Sequence, residues 1–299
     1  MSVRTSSPVK ENLPVTSKTK TPHELAIQRR DYQFARNEPH PRWWLDNDPV
    51  PTAFYNGLSA LFPLGERFFM DAVKHFRDRT DGKLKEQVAD FLYQEAMHTR
   101  EHVVFNKMAT DAGYDIKKLE NRAARLLGWA RTKRQIYQLA ATAALEHFTA
   151  MLAHAVLADP RHMQNAPEEA RQMWEWHAME EIEHKAVAYD TYMATLKNWP
   201  GVARWGLRSI VMVVATILFI YAAVANTKDL FKQDGIDNAR SWRHLFVYLF
   251  FSPGLLRKVL KSYFSYYRPG FHPWEEDDRA LLARAETTIV RPLTVGVPA

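Results

Sequence analysis

Trp176-His177-Ala178-Met179-Glu180-Glu181-Ile182-Glu183-His184-Lys185 decides how this chain is read. On a helix, His177, Glu181 and His184 fall within about 60° of arc, so their side chains point at one place. Glu180 and Glu183 lie off that centre. A second motif, Gln94-Glu95-Ala96-Met97-His98, repeats the Glu-x-x-His spacing. With His102 one further turn on, Glu95 and His98 again converge within about 60° of arc, while Glu101 points elsewhere.

Ahead of each motif stands a lone glutamate in apolar company. Glu66 is flanked one turn either way by Phe62 and Phe69; Glu146 shares its face with Thr142, Ala143, Thr149, Ala150 and Ala153. A carboxylate buried alone is very costly, so Glu66 needs a partner or a cation. The small residues around Glu146 leave space for a metal cluster and a substrate, and Thr149 is placed to line that space. In order, the chain reads Glu66, Glu95-x-x-His98, Glu146, Glu181-x-x-His184. That order predicts a carboxylate-bridged two-metal site inside a four-helix bundle. The expected ligands are Glu66, Glu95, His98, Glu146, His177, Glu181 and His184. His102 is expected as a pocket residue or proton carrier, and His147, off the centre of its face, as a structural group.

Composition narrows the chemistry. There is no Cys among the 299 residues, which excludes disulfides, thiolate ligands and thiol catalysis. Two divalent ions held by carboxylate and imidazole suit iron first, with manganese or zinc as the other choices. Only 11 Gly in this length favours helices over turn-rich β structure. The net charge of +6 is mild and spread along the chain, so no nucleic-acid footprint is expected.

The expected organisation has four parts. Residues 1–40 read as a disordered or loosely attached arm, and 41–200 as the metal-binding bundle. Its helices are placed at about 52–78, kinked at Pro63, at 83–111, at 133–158 and from about 168 to 197, with a basic connecting segment before the third. Residues 201–268 form an apolar helical extension and 269–299 a polar tail. Residues 1–30 carry no apolar run of the kind a secretory signal needs, so the bundle is expected in the cytoplasm.

Four linked stretches resemble a known family. Phe62-Pro63-Leu64-Gly65-Glu66-Arg67-Phe68-Phe69, Gln94-Glu95-x-x-His98-x-x-x-His102, Ala144-Leu145-Glu146-His147-Phe148-Thr149-Ala150 and Trp176-His177-x-x-Glu180-Glu181-Ile182-Glu183-His184-Lys185 are together similar to the bacterial predicted metal-dependent hydrolases. The resemblance covers about residues 40–265 and implies a hydrolase. The His177-x-x-x-Glu181-x-x-His184 pattern also resembles the p-aminobenzoate N-oxygenase type of di-iron enzyme, in which an added histidine accompanies ferritin-like ligands. Carried over, that comparison implies the same seven ligands and leaves His102 without a counterpart. The expected fold class is all-α: a ferritin-like four-helix bundle with additional apolar C-terminal helices.

Ser209 to Ala225 is free of charge, and Leu245 to Phe251 is a second apolar run broken at Pro253-Gly254. Two readings stand. The segments 206–226 and 244–264 attach the bundle to the inner membrane, with the cationic flanks Arg204, Arg208, Arg257, Lys258, Lys261 and Arg268 on the cytoplasmic side. Alternatively they pack on the bundle or on a second copy of the chain as a homodimer.

The leading functional expectation is a di-iron oxygenase or oxidase acting on a small apolar substrate, its electron donor unidentified. A two-metal hydrolase, with His102 or a free acid moving protons, is the alternative. A non-catalytic metal-binding bundle is the third.

Overall fold

The computed structural model describes residues 20–34 and 41–289. Among them the chain is helical, without strands: α1 (Pro49–Ser59), α2 (Phe62–His75), α3 (Gly82–Asp111), α4 (Ile116–Arg131), α5 (Gln135–Ala158), α6 (Glu168–His184), α7 (Val187–Thr195), α8 (Gly201–Gln233), α9 (Ala239–Phe250), α10 (Leu255–Ser265) and α11 (Arg279–Thr288).

Four helices close a ring. α2 packs on α3, α3 on α6, α6 on α5 and α5 on α2. They contribute Phe68, Phe91, Leu139 and Trp176 to the core, all fully buried. Each such side chain contributes on the order of 1.5–3 kcal/mol by leaving water. α7 continues the line of α6, and α8 lies along α1 and α5.

Several expected boundaries differ. The helix placed at 52–78 is two helices, because Pro63 starts α2 instead of kinking a continuous rod. Proline lacks the N–H that a helix interior needs but suits the first turn. Asp48 caps α1, its side chain accepting from the Val50 N–H at 2.8 Å, a contact worth about 1 kcal/mol. The basic connecting segment is largely helix α4, whose Leu119, Ala123 and Leu127 recur at helical spacing. The fourth bundle helix is interrupted at Lys185-Ala186, between α6 and α7.

The two flanking segments are bound more firmly than expected. Of the arm at 1–40, residues 1–19 and 35–40 lie outside the described residues. Residues 20–34 run across the bundle with Ile27 and Phe34 buried. Phe34 stacks near Trp176, ring centroids 5.3 Å apart. Of the tail at 269–299, residues 290–299 lie outside the described residues. Residues 271–289 return onto α5 and α6, with Phe271, Trp274 and Ala285 buried. Asp278 holds this return: its carboxylate accepts from Lys185 Nζ at 2.5 Å and faces His154 Nδ1 at 2.7 Å.

Two helices among the described residues are long and apolar enough to cross a membrane. α5 is mostly buried in the bundle, as a core helix would be. α8 is different: only 22% of its most apolar window is buried. Ile210, Val213, Ile217, Ile220, Tyr221 and Val224 form an exposed stripe along it.

Candidate metal centre

The ring of helices brings the acidic and imidazole groups together. All seven residues of the expected ligand set are buried. Glu95, His98, Glu181 and His184 present ligand atoms within 4.8 Å of one another, and so do Glu66, His102 and His177. The two sets touch. His177 Nε2 lies 2.9 Å from Glu181 Oε1 and 3.9 Å from Glu66 Oε1, and the His98 and His177 rings stack with centroids 4.1 Å apart. His184 bridges its neighbours, with Nδ1 3.5 Å from Glu95 and Nε2 3.5 Å from Glu181. Glu146 belongs to neither tight set, but its charge acts directly on Glu95.

The polar atoms at this centre are unsatisfied. Both carboxylate oxygens of Glu66, Glu95 and Glu146 lack a hydrogen-bond partner, as do Glu181 Oε2, His98 Nδ1 and both ring nitrogens of His184. Buried polar groups are normally paired, and one cluster with so many orphans needs an explanation. Cations supply one. The donors are oxygen and nitrogen, buried, convergent and without competing partners, which is the chemistry a pair of divalent ions requires.

The electrostatics carry the same signature. Burial pushes the Glu66 carboxyl up to about 8, and the neighbouring Glu181 charge adds to the rise although His98 opposes it. Burial, then repulsion from Glu146, Glu181 and Glu66, holds Glu95 well above the usual carboxylate range. Glu146 is raised by burial and by Glu181 and Glu66. Glu181 goes the other way: burial would raise it, but His184, His177 and His98 outweigh that and hold it low. Burial also lowers His177, to about 4, with repulsion from His98 helping. Without added cations, then, the four carboxyls cannot all be charged together.

Around this centre sits a second layer whose carboxylates are paired. His98 Nε2 lies 3.0 Å from Glu180 Oε2. Glu180 also accepts from Arg30 at 3.1 Å, and Arg30 donates to both oxygens of Glu183 at 3.0 and 2.8 Å. Gln94 donates to Glu183 at 2.8 Å. With Nε2–H given to Glu180, His98 turns Nδ1 to the centre. Burial would lower this ring, but Glu180 and Glu181 outweigh it and raise it to about 10, so a bound metal would take the place of the Nδ1 proton. This carboxylate–histidine arrangement fixes ring orientation and raises ligand basicity.

His177 is oriented by a longer chain. Its Nδ1 lies 2.6 Å from His102 Nε2, and His102 Nδ1 lies 2.8 Å from Ser59 Oγ. Ser59 donates to Asn106 Oδ1 at 2.7 Å, and Asn106 Nδ2 donates back to the Ser59 carbonyl at 3.2 Å. Since the Ser59 hydroxyl proton goes to Asn106, Ser59 accepts from His102 Nδ1–H. His102 Nε2 then accepts from His177 Nδ1–H, and the His177 Nε2 lone pair faces Glu66 and Glu181. Both nitrogens of His102 are engaged, so it orients His177. Burial and the nearby His177 and His98 keep His102 well below the usual imidazole range, that is, neutral.

Thr149 stands beside the centre on a small cavity of about 40 Å³ that also touches Phe62, His177 and Glu181. Its hydroxyl donates to the Glu146 carbonyl at 3.0 Å. His147 points away, its Nε2 3.0 Å from the Ser262 carbonyl.

The family assignment rests on this same stretch of chain: residues 28–277 match the family described as predicted metal-dependent hydrolase. The chain belongs to that family. The match begins at Gln28, inside the segment that delivers Arg30, and ends at Asp277, beside the Asp278 clasp. The predicted metal-dependent hydrolase family therefore spans the inner centre, its outer layer and both packed flanks. No curated protein and no solved structure matches the chain.

Motif spacing alone misses Arg30, Ser59, Asn106 and the role of Glu180. One signal was present for Arg30. Glu180 and Glu183 share a helix with Trp176 and Ile182, so a cation from another segment had to meet them.

Proposed function

We propose that this chain is a two-metal hydrolase, its ions held by Glu66, Glu95, His98, Glu146, His177, Glu181 and His184. The helices α2, α3, α5 and α6 would then form a ferritin-like bundle carrying one dinuclear centre. The observation that carries the reading is the cluster of buried carboxylates interleaved with imidazoles: Glu66, Glu95 and Glu146 lack a partner at both oxygens and Glu181 at one. When bound, two divalent ions polarise the scissile group and acidify a water to a nucleophile near neutral pH.

The chain's own residues do the rest. The Arg30–Glu180 pair fixes His98, and the Ser59–His102 chain fixes His177, so both imidazoles aim a ring nitrogen inward. His102, held neutral by burial, orients His177 by accepting its Nδ1–H. Phe62 packs against both His102 and His177, with centroids at 4.6 and 4.9 Å, and keeps bulk water from that edge. The family description favours hydrolysis. Turnover of an ester panel, abolished by chelation, restored by zinc or manganese and indifferent to O2, tests it; a chelated enzyme of unchanged rate would contradict it.

A second reading, O2-dependent oxidation by a di-iron centre, is favoured by one feature. Four carboxylates outnumber three imidazoles, and an oxygen-rich set accommodates both ferrous and ferric ions. Protein loaded anaerobically with ferrous iron and then exposed to O2 should develop a ferric optical band. A flat spectrum removes this reading.

We also place the protein on the cytoplasmic face of a membrane, lying in the interface without crossing it. α8 has one face against α1 and α5, which supports lying along the interface over crossing a bilayer by itself. Its exposed stripe continues into Phe246, Phe251, Leu260 and Phe264, beside the exposed cations Arg257 and Lys261. Apolar surface edged by cations is the pattern of an interfacial anchor. Flotation with anionic vesicles should weaken strongly in an Ile217→Asp, Phe264→Asp double variant. A dimer in solution and no flotation would assign this face to a second copy.

A further inference from the structure

A cavity of about 300 Å³ lies between α2, α4, α5 and α8. That is the lower end of the range of about 300–1,000 Å³ that small-molecule sites occupy. Its lining is almost wholly aliphatic and aromatic, with Lys133 as the charged residue on the wall. Along α8 the wall runs from Val211 to Ala222, a rise of about 16 Å. The cavity is therefore elongated.

The cavity has two distinct ends. At the outer end, Trp129 and Tyr137 are exposed, and Lys133 Nζ sits 4.4 Å above the Trp129 ring. At the inner end are Phe62 and Thr149. These same two residues also wall the small cavity that touches His177 and Glu181. This shared pair links the wall of the long apolar space to the candidate metal centre.

We propose that this cavity binds the single hydrocarbon chain of an amphiphilic substrate and presents one end of it, past Phe62 and Thr149, to the metal centre. The chemistry of that end rests on the two-metal reading above; the chain-binding site does not. The lining offers a hydrocarbon nothing but van der Waals contact and exclusion of water, which is what such a chain needs. It offers a polar metabolite no partner for its hydrogen bonds, so a sugar or amino acid would lose more than it gained there. Val214 lines the cavity and is also exposed on α8 next to the stripe of Val213 and Ile217. Entry from a lipid surface is therefore short.

The test uses the full-length protein and 11-(dansylamino)undecanoic acid, whose emission rises and shifts to the blue in apolar surroundings. Saturable binding is expected, with displacement by dodecanoate and none by butyrate. Ala130→Trp, at a half-buried wall position, and Ala215→Trp, on the facing helix, should each weaken binding by about tenfold, the loss when roughly two methylenes are expelled. Helical content and metal content, measured on the same samples, should stay at wild-type values. Ile217→Ser on the outer face of α8 should leave the affinity unchanged. No saturable binding, equal displacement by butyrate, or binding that ignores both tryptophans while falling in Ile217→Ser would overturn the proposal. Probe binding that behaves as expected in a protein holding no metal would leave this site standing and refute the two-metal reading alone.

Discussion

Two rings of buried carboxylates share one bundle, and they are treated in opposite ways. In the outer ring, Glu180 and Glu183 meet Arg30 and Gln94; Glu101 accepts the Phe34 N–H at 2.9 Å and faces Arg100 at 2.7 Å. In the inner ring, Glu66, Glu95 and Glu146 have no partner at either oxygen. The outer ring shows that this chain can supply cations to buried acids from distant segments. That it supplies none to the inner ring is the contrast on which the proposed metal centre rests.

The sharpest way to break the contrast is to remove one acid or imidazole from the inner ring. Glu95→Ala or His184→Ala should reduce bound metal from two ions per chain to one or none, measured by elemental analysis. Glu95→Ala should not unfold the metal-free protein, because it relieves the crowding of like charges, whereas His184→Ala removes a counter-group of Glu181 and should destabilise it modestly. In the outer ring the expectation reverses. Arg30→Ala strands Glu180 and Glu183 in a buried site, which should cost on the order of 3–5 kcal/mol in chemical denaturation. The folded fraction should still bind two ions.

The pH response follows from the same difference. Glu66 in the folded, metal-free chain sits at about 8 against an ordinary value of 4.5. A carboxyl raised by folding holds its proton better in the native state. Its contribution to stability is therefore complete below about 4.5 and is lost as pH rises toward 8. Metal-free protein should melt at progressively lower temperature across that window, and saturating metal should flatten the slope. A metal-free melting temperature that climbs over the same range would contradict the assignment.

Smaller effects separate the layers. Glu180→Gln takes the carboxylate away from His98 Nε2 and should weaken metal binding by about 10- to 100-fold without changing the stoichiometry. Ser59→Ala removes the acceptor for His102 Nδ1–H three bonds from the centre. Its effect should be smaller, below about tenfold, and should be matched by His102→Asn only if that ring serves to orient His177.

The inner ring was legible in the sequence because helical spacing is a strict geometric rule. His177, Glu181 and His184 had to converge once α6 formed, and the Glu, Glu-x-x-His order paired them with Glu66, Glu95 and Glu146. What the sequence hid depends on contacts distant in the chain. Arg30 lies 150 residues from Glu180, and its stretch has no helical period to reveal which side it buries. The Ser59–Asn106 chain spans α1 and α3, 47 residues apart, with neither residue in a recognisable motif. α4 was hidden differently: its positive charges, on one face, masked an apolar stripe on the other. The break at Pro63 shows the limit of a local rule, since proline can bend a helix or begin one and only the packing of α1 against α8 decides.

Anomalous X-ray scattering from crystals of the metal-loaded protein tests the central claim most directly. Two peaks are expected, about 3.5–4 Å apart, both between α2, α3, α5 and α6 and both within bonding distance of Glu181 or its neighbours in the inner ring. Peaks bound instead by the outer acids, or no peak among Glu66, Glu95, Glu146 and Glu181, would contradict it.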